Sequence, residues 1–198
     1  TNIDCSHHIY FNVKQCEVEK NLYDGSNYRL FLIKNKETGI IYAAKTPYYT
    51  INKLYQHHFI NFFNELNTIL QLDHPSVLKF IGFSPVGYNK SKRPLIMTEY
   101  ASNGSLSKYI TPNSRFKKAK KFNETNKIIV LYGVAAAMKY LHSHNILHRD
   151  LKPQNILIDY YLHPKISDFG LSKITDFLSV SMNFQSQKGY KGTLAYMA

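Results

Sequence analysis

The chain has 198 residues (23.0 kDa), of which 44% are hydrophobic and 14% aromatic, enough apolar surface for a sizeable core and too much for a disordered or collagen-like chain. Lysine and arginine total 25 against 13 acidic residues, a formal charge of +12. That balance favours anionic partners such as nucleic acid, an acidic membrane or a phosphorylated ligand without choosing among them. Heavy use of Asn (17) and Tyr (16) fits equally well with a compositional bias toward A and T in the coding sequence.

Two cysteines, Cys5 and Cys16, stand in no metal-ligand spacing, which argues against a zinc site or a disulfide framework and fits a reducing, cytoplasmic setting. The longest apolar run, Ile128 to Met138, is too short to span a bilayer. The chain begins at Thr1, so a targeting or tethering segment outside these residues stays open.

In chain order, Val13 to Leu22, Tyr28 to Lys34 and Ile40 to Thr46 read as strands of a meander, with turns at Tyr23 to Asn27 and Asn35 to Gly39. Phe59, Phe62, Phe63, Leu66, Ile69 and Leu70 recur at helical spacing, which predicts a helix from His57 to Leu72 that stops at Asp73-His74-Pro75. Two more strands are predicted at Leu78 to Phe83 and Leu95 to Glu99. Five strands and one helix make a small α+β unit. Beyond it, a short polar segment leads to a helix from Leu106. A longer helix is predicted from Asn123 to Ser143, capped by Asn123, with Ile128, Leu131, Ala135, Met138 and Leu141 on its packed face. The basic run Arg115 to Lys121 between them reads as a solvated loop, with an anion-docking site as the alternative.

The chemistry is concentrated in His148-Arg149-Asp150-Leu151-Lys152-Pro153-Gln154-Asn155, followed thirteen residues later by Asp168-Phe169-Gly170. These positions resemble the catalytic loop and metal-binding motif of eukaryotic protein kinases. Phosphoryl transfer needs a hydroxyl held in line with the γ-phosphate and neutralisation of spread negative charge. A carboxylate, an amide and a lysine are suited to both tasks. The resemblance implies that Asp150 orients the substrate hydroxyl and accepts its proton, that Lys152 lies beside the γ-phosphate, and that Asn155 and Asp168 hold Mg²⁺ through hard oxygen ligands. A lysine at position 152 is typical of the Ser/Thr members.

Upstream text carries the same resemblance. Tyr42-Ala43-Ala44-Lys45 is similar to the third-strand motif whose lysine binds the α- and β-phosphates of ATP, and Glu65 on the following helix would pair with that lysine. Leu95 to Ala101 looks like the last strand and hinge, with Thr98 as gatekeeper and backbone groups of Glu99 and Ala101 toward adenine. Leu30, Ala43 and Leu157 would sandwich the adenine ring. Gly192 to Ala198 resembles the end of an activation segment, in which Thr193 contacts Asp150 and Lys152, and Asn103-Gly104-Ser105-Leu106 resembles the tyrosine kinase-like group of Ser/Thr kinases.

One motif departs from the family. Counting back from Lys45, the three glycine positions of the phosphate-covering loop are Tyr23, Gly25 and Tyr28. Glycine serves there because its backbone approaches phosphate closely. Two tyrosines should stiffen the loop, crowd the phosphates and weaken ATP binding.

The resemblance implies an α+β, two-lobed protein kinase-like fold: a small lobe over 1–98, a hinge at 99–101 and part of a helical large lobe over 102–198, with ATP and Mg²⁺ in the cleft. The implied activity is transfer of the γ-phosphoryl group to a protein Ser/Thr hydroxyl. Thr175, Ser179, Ser181 and Ser186 are candidate targets of an upstream kinase, with Arg149 positioned to receive the phosphate. The alternatives are a pseudokinase acting as a binding or scaffolding module, and nucleic-acid binding driven by charge, for which no recognition motif is present. The family's domain is longer than this chain, so a C-terminally truncated fragment, poorly stable and nearly inactive by itself, is also expected.

Overall fold

The computed structural model describes residues 9–25, 27–48, 56–88, 91–111 and 122–174, without the side chains of 56–59. They fall into two compact units, one within Thr1–Phe62 and Lys79–Tyr100, the other within Phe63–Leu78 and Ala101–Ala198.

The first unit is a five-stranded antiparallel sheet in the order β1-β2-β3-β5-β4, formed by β1 (Cys16–Asp24), β2 (Tyr28–Asn35), β3 (Ile41–Pro47), β4 (Phe80–Ser84) and β5 (Leu95–Glu99). The predicted first strand begins three residues late. Asn12 accepts a hydrogen bond from the Lys14 N–H and turns Val13–Gln15 into a 3₁₀ helix, a local side-chain bond that competes with extended backbone. Cys16, Ile33, Ala44, Leu95 and Met97 form the core on one face of the sheet. Burial raises the Cys16 thiol pKa above its ordinary value. At the β4 edge the chain is covered by the N-terminal segment, whose Phe11 N–H donates to Phe83 O at 2.8 Å.

Alternation along paired strands sorts the other side chains. Tyr23 and Lys45 both oppose Leu30, Ala43 opposes Leu32 and Thr98, and Tyr28 lies two positions from Leu30. Tyr23, Tyr28, Leu30, Ala43, Lys45 and Thr98 therefore share the face opposite the core.

Helix α1 (Gln56–Ile69) buries Phe62, Leu66 and Ile69, as predicted, whereas Phe63 and Leu70 are exposed. Two polar residues, Glu65 and Thr68, take places on the buried side. The second unit continues with α2 (Ser107–Ile110), α3 (Glu124–Ser143), β6 (Ile146–Leu147), β7 (Ile156–Ile158), β8 (Pro164–Ile166) and β9 (Lys173–Ile174). β7 pairs with β8 and β6 with β9. Asn123 caps α3 reciprocally with Asn126, each side chain accepting from the other's backbone N–H at 3.0 Å.

The predicted packed face of α3 holds in its last turns, where Leu141 is buried and Met138 packs on the core, and fails before them, where Ala135 is exposed. Ile128 and Leu131 are 66% and 71% exposed, while Val130, Gly133, Ala137 and Leu141 are buried. The run is apolar on all sides, so periodicity alone could not select a face. Gly133 is required where α3 meets β8, because a Cβ there would lie 2.5 Å from the Pro164 ring. Ala137 and Leu141 pack with Val77, Ile146, Ile166 and Phe169 in the core of this unit.

Candidate active site

The residues of the candidate catalytic loop, His148 to Asn155, converge within the second unit. His148 is 1% exposed; its Nδ1 accepts from the Asp150 N–H at 3.3 Å, so its Nε2 carries the proton and donates to Ser167 O at 3.0 Å. Burial pushes the His148 pKa below its ordinary value, leaving a neutral ring that fixes the backbone of Asp150. The ring also packs on Phe169, with centroids 5.1 Å apart.

Asp150 is itself buried, and its Oδ2 accepts from Lys152 Nζ at 2.8 Å and from Asn155 Nδ2 at 3.0 Å. The same Nδ2 donates to Asp150 O at 2.7 Å. Both bonds use the amide nitrogen and so turn Asn155 Oδ1 away from the carboxylate. Behind it, Ser167 donates to Asn155 O through its N–H at 2.9 Å and its hydroxyl at 3.0 Å, tying Asn155 to the residue before Asp168.

Asp168 adopts a left-handed conformation (φ 66°) and starts the 3₁₀ helix Phe169–Leu171. Arg149 is left-handed as well (φ 64°) and donates from Nε to Leu171 O at 3.0 Å. Such backbone costs of order 1–3 kcal/mol per residue and persists where surrounding bonds over-determine it. Here the His148 and Asn155 hydrogen bonds hold the loop. The Asn155 amide oxygen and the Asp168 carboxylate are hard oxygen donors of the kind that could hold Mg²⁺.

The sequence reading missed a link from α1 to this loop. Thr68, one turn beyond Glu65, shares a 2.8 Å hydrogen bond with Ser172, whose hydroxyl donates to Phe169 O at 2.6 Å. The only signal was a hydroxyl at a position where apolar spacing predicts burial. Next to it, Asn64, Asn67, Thr68, Arg149, Ser172, Lys173 and Ile174 line a cavity of about 300 Å³; Lys173 was also missed.

In the first unit, Lys45 Nζ lies 4.4 Å from the centroid of the Tyr28 ring, and Tyr28 packs on Tyr23 with centroids 5.2 Å apart. Gly25 is covered by the Tyr23 ring, into which a Cβ would run. Glu99 donates its N–H to Lys79 O and accepts the Lys79 N–H on Oε1 at 2.8 Å, so its side chain anchors the end of β5. In the second unit, Ala101 is buried, and its carbonyl accepts from the Gly104 N–H at 3.2 Å. Leu157 is half-buried on β7. Thr193, the activation-segment hydroxyls and Arg115 to Lys121 lie outside the described residues.

The first unit carries the Ala-Ala-Lys strand, and the second the loop joining Asp150, Lys152 and Asn155. Residues 16–198 match the profile of the protein kinase domain, and the chain belongs to that family. It is 31% identical to the LEAF RUST 10 disease-resistance locus receptor-like protein kinase-like 2.5 of Arabidopsis thaliana, over 81% of this chain and 23% of the relative. It is 33% identical to ephrin type-B receptor 3 of Danio rerio, over 86% of this chain and 31% of that one. The G-type lectin S-receptor-like serine/threonine-protein kinase LECRK1 of Oryza sativa is 36% identical over 75% of this chain and 17% of its own length. The chain thus spans less than a third of each of these three relatives. Among the described residues no helix is long and apolar enough to cross a membrane.

Proposed function

We propose that the chain is the phosphotransfer part of an ATP-dependent protein serine/threonine kinase. The observation that carries this reading is the convergence of Lys152 Nζ and Asn155 Nδ2 on one oxygen of Asp150. That arrangement orients the carboxylate that would receive a substrate hydroxyl and take its proton as the oxygen attacks the γ-phosphate and ADP leaves. Lys152 then supplies positive charge near the transferred group. Lys45 engages the α- and β-phosphates, Leu30, Ala43, Thr98 and Leu157 contact adenine, and Glu99 and Ala101 contribute backbone groups. Asn155 and Asp168 would hold Mg²⁺, which when bound neutralises phosphate charge. Specificity for Ser/Thr rests on Lys152 and on the likeness to a relative named as a serine/threonine kinase. The cavity beside Arg149 and Lys173 offers two cations to a phosphate placed by an upstream kinase on the 175–186 stretch.

The test is transfer of labelled γ-phosphate to a mixed protein substrate, followed by phosphoamino-acid analysis. Label on Ser or Thr, lost with Asp150→Asn, is the expected result. Label on Tyr overturns the specificity, and no transfer overturns the activity.

A second reading, a pseudokinase, is favoured by Tyr23 and Tyr28 at glycine positions with Tyr28 on Lys45. Thermal shift with MgATP separates the two. A shift abolished by Lys45→Ala fits the enzyme, and no shift at millimolar ATP fits the pseudokinase.

A further inference from the structure

The core-side face of the sheet carries a second cavity, of about 380 Å³, within the size range of small-ligand sites. Register explains which residues reach it. Thr46 and Asp24 both lie on the face of Arg29, and Asn21 on that of Phe31. Leu95 joins them by alternation from Met97, which opposes Ala44. These residues line the cavity with Val18 and with Gly87, Tyr88, Ser91 and Arg93 of the β4 to β5 connection. Thr46 is adjacent to Lys45 on β3 and points to the opposite side of the sheet, so this cavity is distinct from the nucleotide-facing surface.

Its chemistry is uneven in an informative way. Val18, Phe31 and Leu95 give an apolar wall. Thr46 is 6% exposed, and its Oγ1 is, among the described residues, the one buried side-chain polar atom with no hydrogen-bond partner. A buried hydroxyl left unsatisfied is costly, so the site is built for a polar atom that no described residue supplies. At the rim, Arg29 is neutralised by Asp24 at 2.9 Å, and this bond holds the Asp24 carboxyl below the usual carboxylate range. Arg93 has no ion pair among the described residues; its guanidinium lies 5.7 Å from the centroid of the Tyr48 ring. One unneutralised cation beside an ionised Asp24 accommodates a single negative charge and repels a second. β1 is the neighbouring sheet edge, and two register irregularities break its regular row of backbone groups, which disfavours an added peptide strand.

We propose that this cavity binds a small monocarboxylate with a compact apolar body, its carboxylate on Arg93 and a hydrogen-bonding atom at its far end on Thr46. The apolar body lies against Phe31 and Leu95.

The experiment is titration of the full chain, followed by amide NMR, with three probes: 3-(4-hydroxyphenyl)propionate, its neutral amide and 3-phenylpropionate. Saturable shifts at Thr46 and Leu95 are expected with the first probe, with affinity about tenfold weaker for the amide and in Arg93→Gln, the size of one charge-assisted hydrogen bond. Thr46→Val, which removes only an unpartnered hydroxyl, weakens the hydroxyphenyl probe to the level of 3-phenylpropionate and leaves the latter unchanged. Excess MgATP displaces none of them. Absence of saturable shifts, equal binding of acid and amide, indifference to Arg93→Gln, or displacement by MgATP would each overturn the assignment. None of these outcomes depends on whether the chain transfers phosphate.

Discussion

Lys45 Nζ rests 4.4 Å from the centroid of the Tyr28 ring, so the residue that replaces the third loop glycine touches the very side chain proposed to bind phosphate. A cation over an aromatic face gains about 0.5–2 kcal/mol, and phosphate binding to Lys45 must compete with that contact. Tyr28→Leu is therefore expected to tighten MgATP binding about two- to tenfold, and Tyr28→Phe, which keeps the ring, to leave it nearly unchanged. Calorimetric titration of MgATP checks both. Weaker binding in Tyr28→Leu would show that the ring assists the nucleotide.

Asp150→Asn removes the carboxylate but keeps its shape. The proton acceptor is lost, and Lys152 no longer meets a charge at 2.8 Å. Phosphoryl transfer should fall about 10²–10⁴-fold while MgATP affinity changes little, because the nucleotide contacts lie on other residues. A turnover assay beside a binding assay reads the split; loss of binding equal to loss of turnover would place Asp150 in nucleotide binding instead.

How much of this was legible in the sequence follows from where chemistry confines residue types. His148 to Asn155 could be read because carboxylate, amide and lysine must stand in one short loop, and the structure brings Asp150, Lys152 and Asn155 together. The Asn123 cap was legible because its hydrogen bond is local. The face of α3 was legible only at Met138 and Leu141, since Ile128 to Met138 is apolar all round and only tertiary packing against Pro164 and Val77 selects Gly133 and Ala137. Two tyrosines at glycine positions were visible, but not that one of them would stack on Lys45. Thr68 and Thr46 were invisible for a common reason: a buried hydroxyl has no periodic signature, and its meaning depends on a partner distant in sequence or missing.

The Thr68 and Ser172 hydroxyls form a chain that ends on Phe169 O. Since Ser172 donates to the carbonyl, Thr68 donates to Ser172. Ser172→Ala orphans Thr68 Oγ1, while Phe169 O keeps the backbone N–H of residue 172 at 3.0 Å; Thr68→Val leaves Ser172 satisfied. The first should cost about 1–3 kcal/mol and the second about 1 kcal/mol, with the double variant costing less than the sum. Denaturant unfolding of the three variants measures this. Strict additivity would mean that the two hydroxyls do not interact in solution.

His148 gives the fold a dependence on pH whose sign is fixed by its burial. The native pKa lies below the unfolded value of about 6.5, so the unfolded chain takes up the proton more readily. The stabilisation is complete above the unfolded pKa, declines as pH falls below it, and is gone once pH has dropped through the native pKa. Replacing the ring by Phe should lower Tm at neutral pH, because Ser167 O and the Asp150 N–H lose their partners. The same substitution should flatten the fall of Tm between about pH 7.5 and about pH 5, since one titrating group has been removed. Thermal melts of both proteins across that range decide the matter; parallel curves would show that the acid sensitivity arises from other groups.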